Sequence, residues 1–276
     1  METDGSAHLA PFAHSWLASG VRQSPHPTPS PMQADALLCS HPRSGGRWLR
    51  YLLAHYLAAH HRLGMEVTPQ TVFAVVPDHV EEGPRGYRAF GFSGRRGLPL
   101  AAVCHQPYSW ELHRGAPLVF LARNAYDVLV SAYVYYTQEK PEYAGSVRDF
   151  IRHPRLGLGG WIQYMNGWAP TLLTHRDSMR LSYRDLDADP AAALRRVLSF
   201  LNHPSDPALV EATVRSASEM RSARGIRTGQ EGNFWDHLQP DEIFDIQEQV
   251  DRGLSGHAVH LLQSMGVEVD PFPRSV

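Results

Sequence analysis

The segment Ala36-Leu37-Leu38-Cys39 is apolar at four consecutive positions, and the chain then turns through Ser40-His41-Pro42-Arg43-Ser44-Gly45-Gly46. Beyond the turn, Trp48, Leu49, Leu52, Leu53, Tyr56 and Leu57 recur at helical spacing. A strand that is apolar on every residue needs cover on both faces, which is the situation of a strand inside a parallel sheet. A glycine-containing turn leads this strand straight into a helix, so the fold class is narrowed to α/β.

The alternation continues along the chain. Residues 98–103 and 117–122 read as further strands, ending at Cys104-His105-Gln106-Pro107 and at Arg123-Asn124. Residues 179–183 make a fourth strand. Helical periodicity covers 126–136, 158–173 and 190–201, the last with Pro190 in its first turn, where a missing N–H costs little. The remainder is mostly helical apart from the glycine-rich stretch 224–232. Strands alternating with helices predict one α/β domain around a mostly parallel sheet flanked by helices, with right-handed crossovers. Residues 24–31 alternate proline with polar residues, so residues 1–33 are expected to be an extended or disordered arm and 34–276 the folded domain.

Charge and cysteine content exclude several classes. A formal net charge of −2 predicts no general polyanion-binding surface, so nucleic acid is not an expected partner and any anion site is local. Lys140 is the only lysine among 26 basic residues. Together with many alanines, this arginine bias fits a GC-rich, bacterial genome. Two cysteines, Cys39 and Cys104, make no disulfide framework, and the chain reads as cytoplasmic. No apolar run is long enough to span a membrane, and no signal peptide is evident.

Ligands of open parallel sheets bind at the carboxyl ends of the strands, and residues 41–48 occupy that position after the first strand. Gly45 and Gly46 allow backbone N–H groups to face a ligand, the following helix presents its positive end, and Arg43 and Arg47 add fixed charge. Such a loop suits a phosphate or sulfate. It lacks the Gly-Lys-Ser/Thr ending of nucleotide-triphosphatase loops, because Arg47 and Trp48 follow Gly46. From these residues alone, a strand-to-helix turn that binds nothing is an equal reading.

Ser40-His41-Pro42-Arg43-Ser44-Gly45-Gly46-Arg47-Trp48 resembles the 5′-phosphosulfate loop of sulfotransferases that use 3′-phosphoadenosine 5′-phosphosulfate (PAPS), both cytosolic-type and bacterial. Three further segments match in order. Residues 119–131 resemble the 3′-phosphate motif, with Arg123 at a strand end and Ser131 eight positions later. Residues 181–186 resemble the Tyr-Glu-Asp-Leu segment, with Tyr183 against the nucleotide and Arg184 in place of glutamate. Residues 227–234 resemble the late Arg-Lys-Gly-x-x-Gly-Asp-Trp motif, in which Arg227, Thr228 and Gly229 would wrap the 3′-phosphate. The resemblance implies a single α/β domain with a P-loop-like nucleotide site. It also implies PAPS as co-substrate, adenosine 3′,5′-bisphosphate (PAP) as product and no catalytic metal.

It further implies roles for single residues. Arg43, Ser44, Gly45, Gly46, Arg47, Trp48, Arg123, Ser131 and Tyr183 would hold the nucleotide. His105 stands where the family has its histidine base, although Val103 replaces the family's lysine. Arg43 would stabilise charge on the leaving phosphate, and Ser131 would help position it. The expected activity is sulfuryl transfer to a hydroxyl of a small molecule, as in tailoring a natural product in secondary metabolism. Aromatic residues of the 69–99 and 135–159 stretches, among them Phe73, Tyr87, Phe90, Phe92, Tyr136 and Tyr143, are candidates for the acceptor pocket, or equally for ordinary core. Trp161, Tyr164 and Trp168 read as helix core. Two alternatives stand beside this reading: a nucleotide-binding homologue impaired in catalysis, kept alive by Val103, Thr228 and Phe234, and a P-loop kinase or other phosphotransferase. An aryl sulfate donor, with the bound nucleotide as relay, is a variant of the first reading.

Overall fold

In the computed structural model, β1 (Ala36–Ser40), β2 (Ala101–Cys104), β3 (Leu118–Ala122) and β4 (Ser178–Ser182) form a sheet in the order β2-β1-β3-β4. All three neighbouring pairs are parallel. The structure describes residues 34–80, 83–113, 115–223 and 230–272, which fall in one unit of the chain. The expected arm, residues 1–33, and Arg227, Thr228 and Gly229 lie outside the described residues.

The helices are α1 (Gly46–His60), α2 (Trp110–His113), α3 (Ala125–Val134), α4 (Val147–Ile151) and α5 (Leu158–Thr174), followed by α6 (Tyr183–Ala188), α7 (Pro190–Phe200), α8 (Pro207–Ala223), α9 (Pro240–Gly253) and α10 (Gly256–Ser264). Strand residues alternate between two cores, as their two-residue period requires. Leu37, Cys39, Ala102, Cys104 and Phe120 join α3, α5, α9 and α10 on one face. Leu38, Ala101, Val103, Val119 and Leu121 join α1, α7 and α8 on the other. Both faces of β1 are therefore covered, which is why its sequence is apolar throughout. Among the described residues no helix is long and apolar enough to cross a membrane.

Side chains set most helix starts. Asn124 accepts from the Asp127 amide to open α3, Ser182 from Asp185 to open α6, and Asp189 from Ala192 to open α7, where Pro190 occupies the first position. Two of the differences from the expected boundaries have a clear physical cause. The second strand begins at Ala101 rather than 98, because Pro99 has no N–H to donate and the Leu100 amide goes to the Asp35 carboxylate. Tyr183 opens a helix rather than closing a strand, because the Ser182 cap turns the chain there. α3 runs on into a π-helical turn, Tyr135–Glu139.

Candidate active site

Each of the four adjacent strands hands the chain to a candidate residue at its carboxyl end. The 41–46 loop follows β1, His105 follows β2, Arg123 follows β3 and Tyr183 follows β4. The chain runs outward from β1 to β2 on one side and from β3 to β4 on the other, so the strand order reverses between β1 and β3, where open α/β sheets form their ligand crevice.

The loop after β1 is held in a conformation that few residues adopt. Gly45 has φ 98° and Arg43 φ 70°. The left-handed region costs a non-glycine residue about 1–2 kcal/mol. Such strain at a loop facing a crevice belongs to functional sites more than to plain turns. Gly45 is also needed for space, since a Cβ there would lie 2.5 Å from Cδ2 of Tyr183. At Gly46 a Cβ would collide with Ser40 Oγ and come within 3.3 Å of Cε1 of His105. No side chain caps α1, so its opening amides can donate to an anion. The Ser44 hydroxyl is buried with no hydrogen-bond partner in the structure. A buried, unsatisfied hydroxyl at the mouth of an uncapped helix fits an anion that supplies its acceptor. Arg47 is exposed on the first turn of α1, and Trp48 is buried against the core beneath it.

His105 is half-buried, with Nδ1 2.8 Å from the Ser40 carbonyl oxygen and 3.4 Å from Ser40 Oγ. A carbonyl only accepts, so Nδ1 carries the proton and Nε2 keeps its lone pair. Burial is the largest influence on the imidazole and pushes its pKa down; the Ser40 hydrogen bond works against this. The ring is thus a neutral base near neutral pH. Its neighbour His41 is pushed down to about 4, chiefly by burial, and its ring meets Tyr164 edge-on at 5.4 Å.

Arg43 reaches across to α3. Its Nε donates to Ser131 Oγ at 3.1 Å, and its guanidinium lies 4.7 Å from the Tyr135 ring centre and 3.9 Å from the Glu139 carboxylate. The π-helical turn therefore supplies two neighbours of Arg43 that no motif in the sequence marked. Arg123, 3% exposed, stands instead with its guanidinium 4.1 Å over the Tyr183 ring and donates to the Gln230 carbonyl at 3.0 Å. The structure thus joins Ser131 to Arg43 and stacks Arg123 on Tyr183, whose other edge touches Gly45. Tyr183 links the two cationic positions.

Asp127 went unnoticed in the sequence, although its place in the first turn after an Asn cap was a legible signal. It is fully buried, 3.4 Å from Arg123, and accepts from the amides of Gly232 at 2.8 Å and Phe234 at 3.1 Å. It therefore moors the end of the late glycine segment, Gly232 to Phe234, beside Arg123. Glu231 sits 3.9 Å from Arg123, and burial raises its pKa.

The acceptor candidates divide. Tyr87 is buried and bonded to His79 Nδ1 at 2.6 Å, while Phe73 lies under Arg50 and Arg85. Phe90 and Phe92 pack on the core, and Tyr136 and Tyr143 pack around Phe150. Trp161, Tyr164 and Trp168 are core, as read from the sequence. Cys39 and Cys104 face each other in register on β1 and β2 as free thiols. The Cys104 Sγ lies 3.3 Å from Nε2 of His113.

The model of a family described as the sulfotransferase domain matches residues 112–256, more than half of the chain. That span includes Arg123, Ser131 and Tyr183 and begins after Arg43 and His105. Sulfotransferase 2A1 of Homo sapiens is 23% identical over 233 residues, covering 80% of this chain and 76% of the relative. A crystal structure of mouse sulfotransferase SULT7A1 complexed with PAP superposes with a TM-score of 0.56 at 18% identity, covering 83% of this chain and 88% of that one. A structure of retinol dehydratase in complex with retinol and PAP gives a TM-score of 0.57 at 15% identity, covering 82% and 83%. At these identities the two structural likenesses establish the fold.

Proposed function

The chain belongs to the sulfotransferase domain family, and from that premise we propose that it moves a sulfuryl group from PAPS to a hydroxyl of a small-molecule acceptor. The observation that carries this reading is the convergence of one anion cradle, one neutral histidine base and two arginines at the carboxyl ends of four adjacent strands. Retinol and PAP occupy the retinol dehydratase structure, and PAP occupies the mouse sulfotransferase. Both support a doubly phosphorylated adenosine here, and the first supports a lipophilic alcohol as acceptor. The free, buried cysteines fit the reducing cytoplasm. The arginine-rich composition fits a bacterial enzyme that tailors a natural product.

In this reading the amides opening α1 and the Ser44 hydroxyl hold the 5′-phosphosulfate. Arg123 and Tyr183, with the 227–229 segment, hold the adenosine end. His105 Nε2 takes the proton of the acceptor hydroxyl as its oxygen attacks sulfur. The sulfur–oxygen bond to the phosphate breaks, and its electron pair stays on the phosphate oxygen. Arg43 stabilises that charge by position and hydrogen bonding; its pKa, lowered chiefly by burial, still belongs to a group that stays cationic. Ser131 holds Arg43 in place.

The test is thermal denaturation with PAP against magnesium ATP. A ligand at a hundred times its Kd stabilises by about 2.7 kcal/mol, so the preferred nucleotide reads out directly. PAP is expected to raise Tm and ATP to leave it unchanged. A preference for magnesium ATP would instead establish the phosphotransferase reading. PAP binding with no PAPS turnover over a panel of phenols and alcohols, and no effect of His105→Ala, would mark an impaired homologue.

A further inference from the structure

At the far end of α1, about 22 Å from the phosphate loop by helix rise, three histidines meet. One nitrogen from each of His60, His61 and His203 lies within 4.8 Å of the other two. We propose that these three imidazoles form a site for a borderline divalent metal ion, zinc above all, that fastens the end of α1 to the end of α7.

The local backbone is arranged for a cation. α1 and α7 close with the same turn: Arg62 and Asn202 take left-handed φ of 49° and 51°. The Leu63 amide returns to the Ala58 carbonyl at 2.9 Å, and the His203 amide to the Leu198 carbonyl at 2.9 Å. His60 is the last helical residue of α1, His61 its cap, and His203 follows the turn that ends α7. Two helix carboxyl ends, each with partial negative charge, therefore converge on the cluster. Arg95, the cation beside it, spends a donor on the His61 carbonyl.

The ligand atoms are oriented as metal sites require. His203 Nδ1 lies 2.9 Å from the Pro204 carbonyl, so it carries the proton and leaves Nε2 as a donor atom. That Nε2 is 2.9 Å from Nε2 of His61. Without metal, one proton bridges the pair, contributed by His61. A metal takes the place of this proton, which passes through water to Nδ1 of His61. The N–N spacing need open by only a few tenths of an ångström to fit two Zn–N bonds of about 2.0–2.1 Å in a tetrahedron. His60 and His61 are half-exposed, which leaves a fourth position open to solvent. Three imidazoles without thiolate or carboxylate favour Zn2+ and its neighbours over magnesium or calcium.

The experiment uses the full chain, freed of metal by a chelator and of any added histidine tag, titrated with Co2+. One equivalent is expected to bind with the intense visible absorption of four- or five-coordinate cobalt, and Zn2+ to bleach it. His60→Ala, His61→Ala and His203→Ala should each weaken binding at least tenfold, while His257→Ala should not. Zn2+ should raise the Tm of the wild type but not of His60→Ala. His60 is half-exposed, so that variant keeps the test alive if His203→Ala fails to fold. Only weak, six-coordinate absorption, or uptake unchanged in His60→Ala and His61→Ala, would overturn the site. The readout is metal uptake, so it stands or falls apart from sulfuryl transfer.

Discussion

Nδ1 of His105 lies 2.8 Å from the carbonyl oxygen of Ser40, so one imidazole ties the residue after β2 to the last residue of β1. The hydrogen bond selects the tautomer, and burial keeps the ring neutral. His105→Ala should lower kcat by about 10²–10⁴-fold, the range for a general base, and leave the Kd for PAP within a few-fold of wild type. Equal activity in the variant would remove His105 from the reaction.

The pH dependence follows in sign. A base works only when unprotonated, and burial places the His105 pKa below the ordinary histidine value of about 6.5. The rate should therefore hold from neutral pH down to that value and fall only in more acid solution. A kcat profile between about pH 5 and 8 checks it. An acid limb centred above the ordinary value would mean that a different group titrates.

Gly46 lies against both Ser40 Oγ and His105 Cε1. Gly46→Ala should displace the imidazole and depress kcat more than it weakens PAP binding. Adding Ser40→Ala removes the closer obstacle and should restore part of the rate, since the two sites are coupled through one contact. Gly45→Ala, with its left-handed φ and its crowding of Tyr183, should instead lose both stability and nucleotide affinity, read by Tm and by PAP titration.

Arg43→Ala should cost about 10²–10³ in kcat, the typical loss of one preorganised donor at a developing charge. Arg43→Lys should retain part of the rate, because a cation remains but the donation of Nε to Ser131 is gone. Ser131→Ala should fall between wild type and Arg43→Ala. Steady-state kinetics at saturating PAPS order the three; a fully active Arg43→Ala would end the assignment.

Asp127 accepts from the Gly232 and Phe234 amides and pairs with Arg123 in full burial. Asp127→Asn turns a donor toward those donors. It should destabilise the fold by about 3 kcal/mol, as breaking a buried pair does, and weaken PAP binding at least tenfold. Urea unfolding and PAP titration measure the two effects separately, and a variant with wild-type values for both would show that Asp127 moors nothing.

Much of this was legible in the residue order. Consecutive apolar residues at 36–39 and 117–122 require cover on both faces, and a glycine turn between strand and helix sets a parallel connection, so the fold class and the approximate strand positions could be read from local pattern. His105 and Arg123 stand immediately after strands, where the backbone alone delivers them to the crevice. Contacts between distant segments could not be read in this way. No spacing reveals that Ser131 serves Arg43, that Tyr183 lies between Gly45 and Arg123, or that His203 meets His60 and His61 across more than 140 residues. Local sequence determines elements because propensity, caps and burial period act over a few residues. Which side chains share a site was decided by the packing of α1, α3 and α7 on the two faces of one sheet, and that is settled only when both cores close.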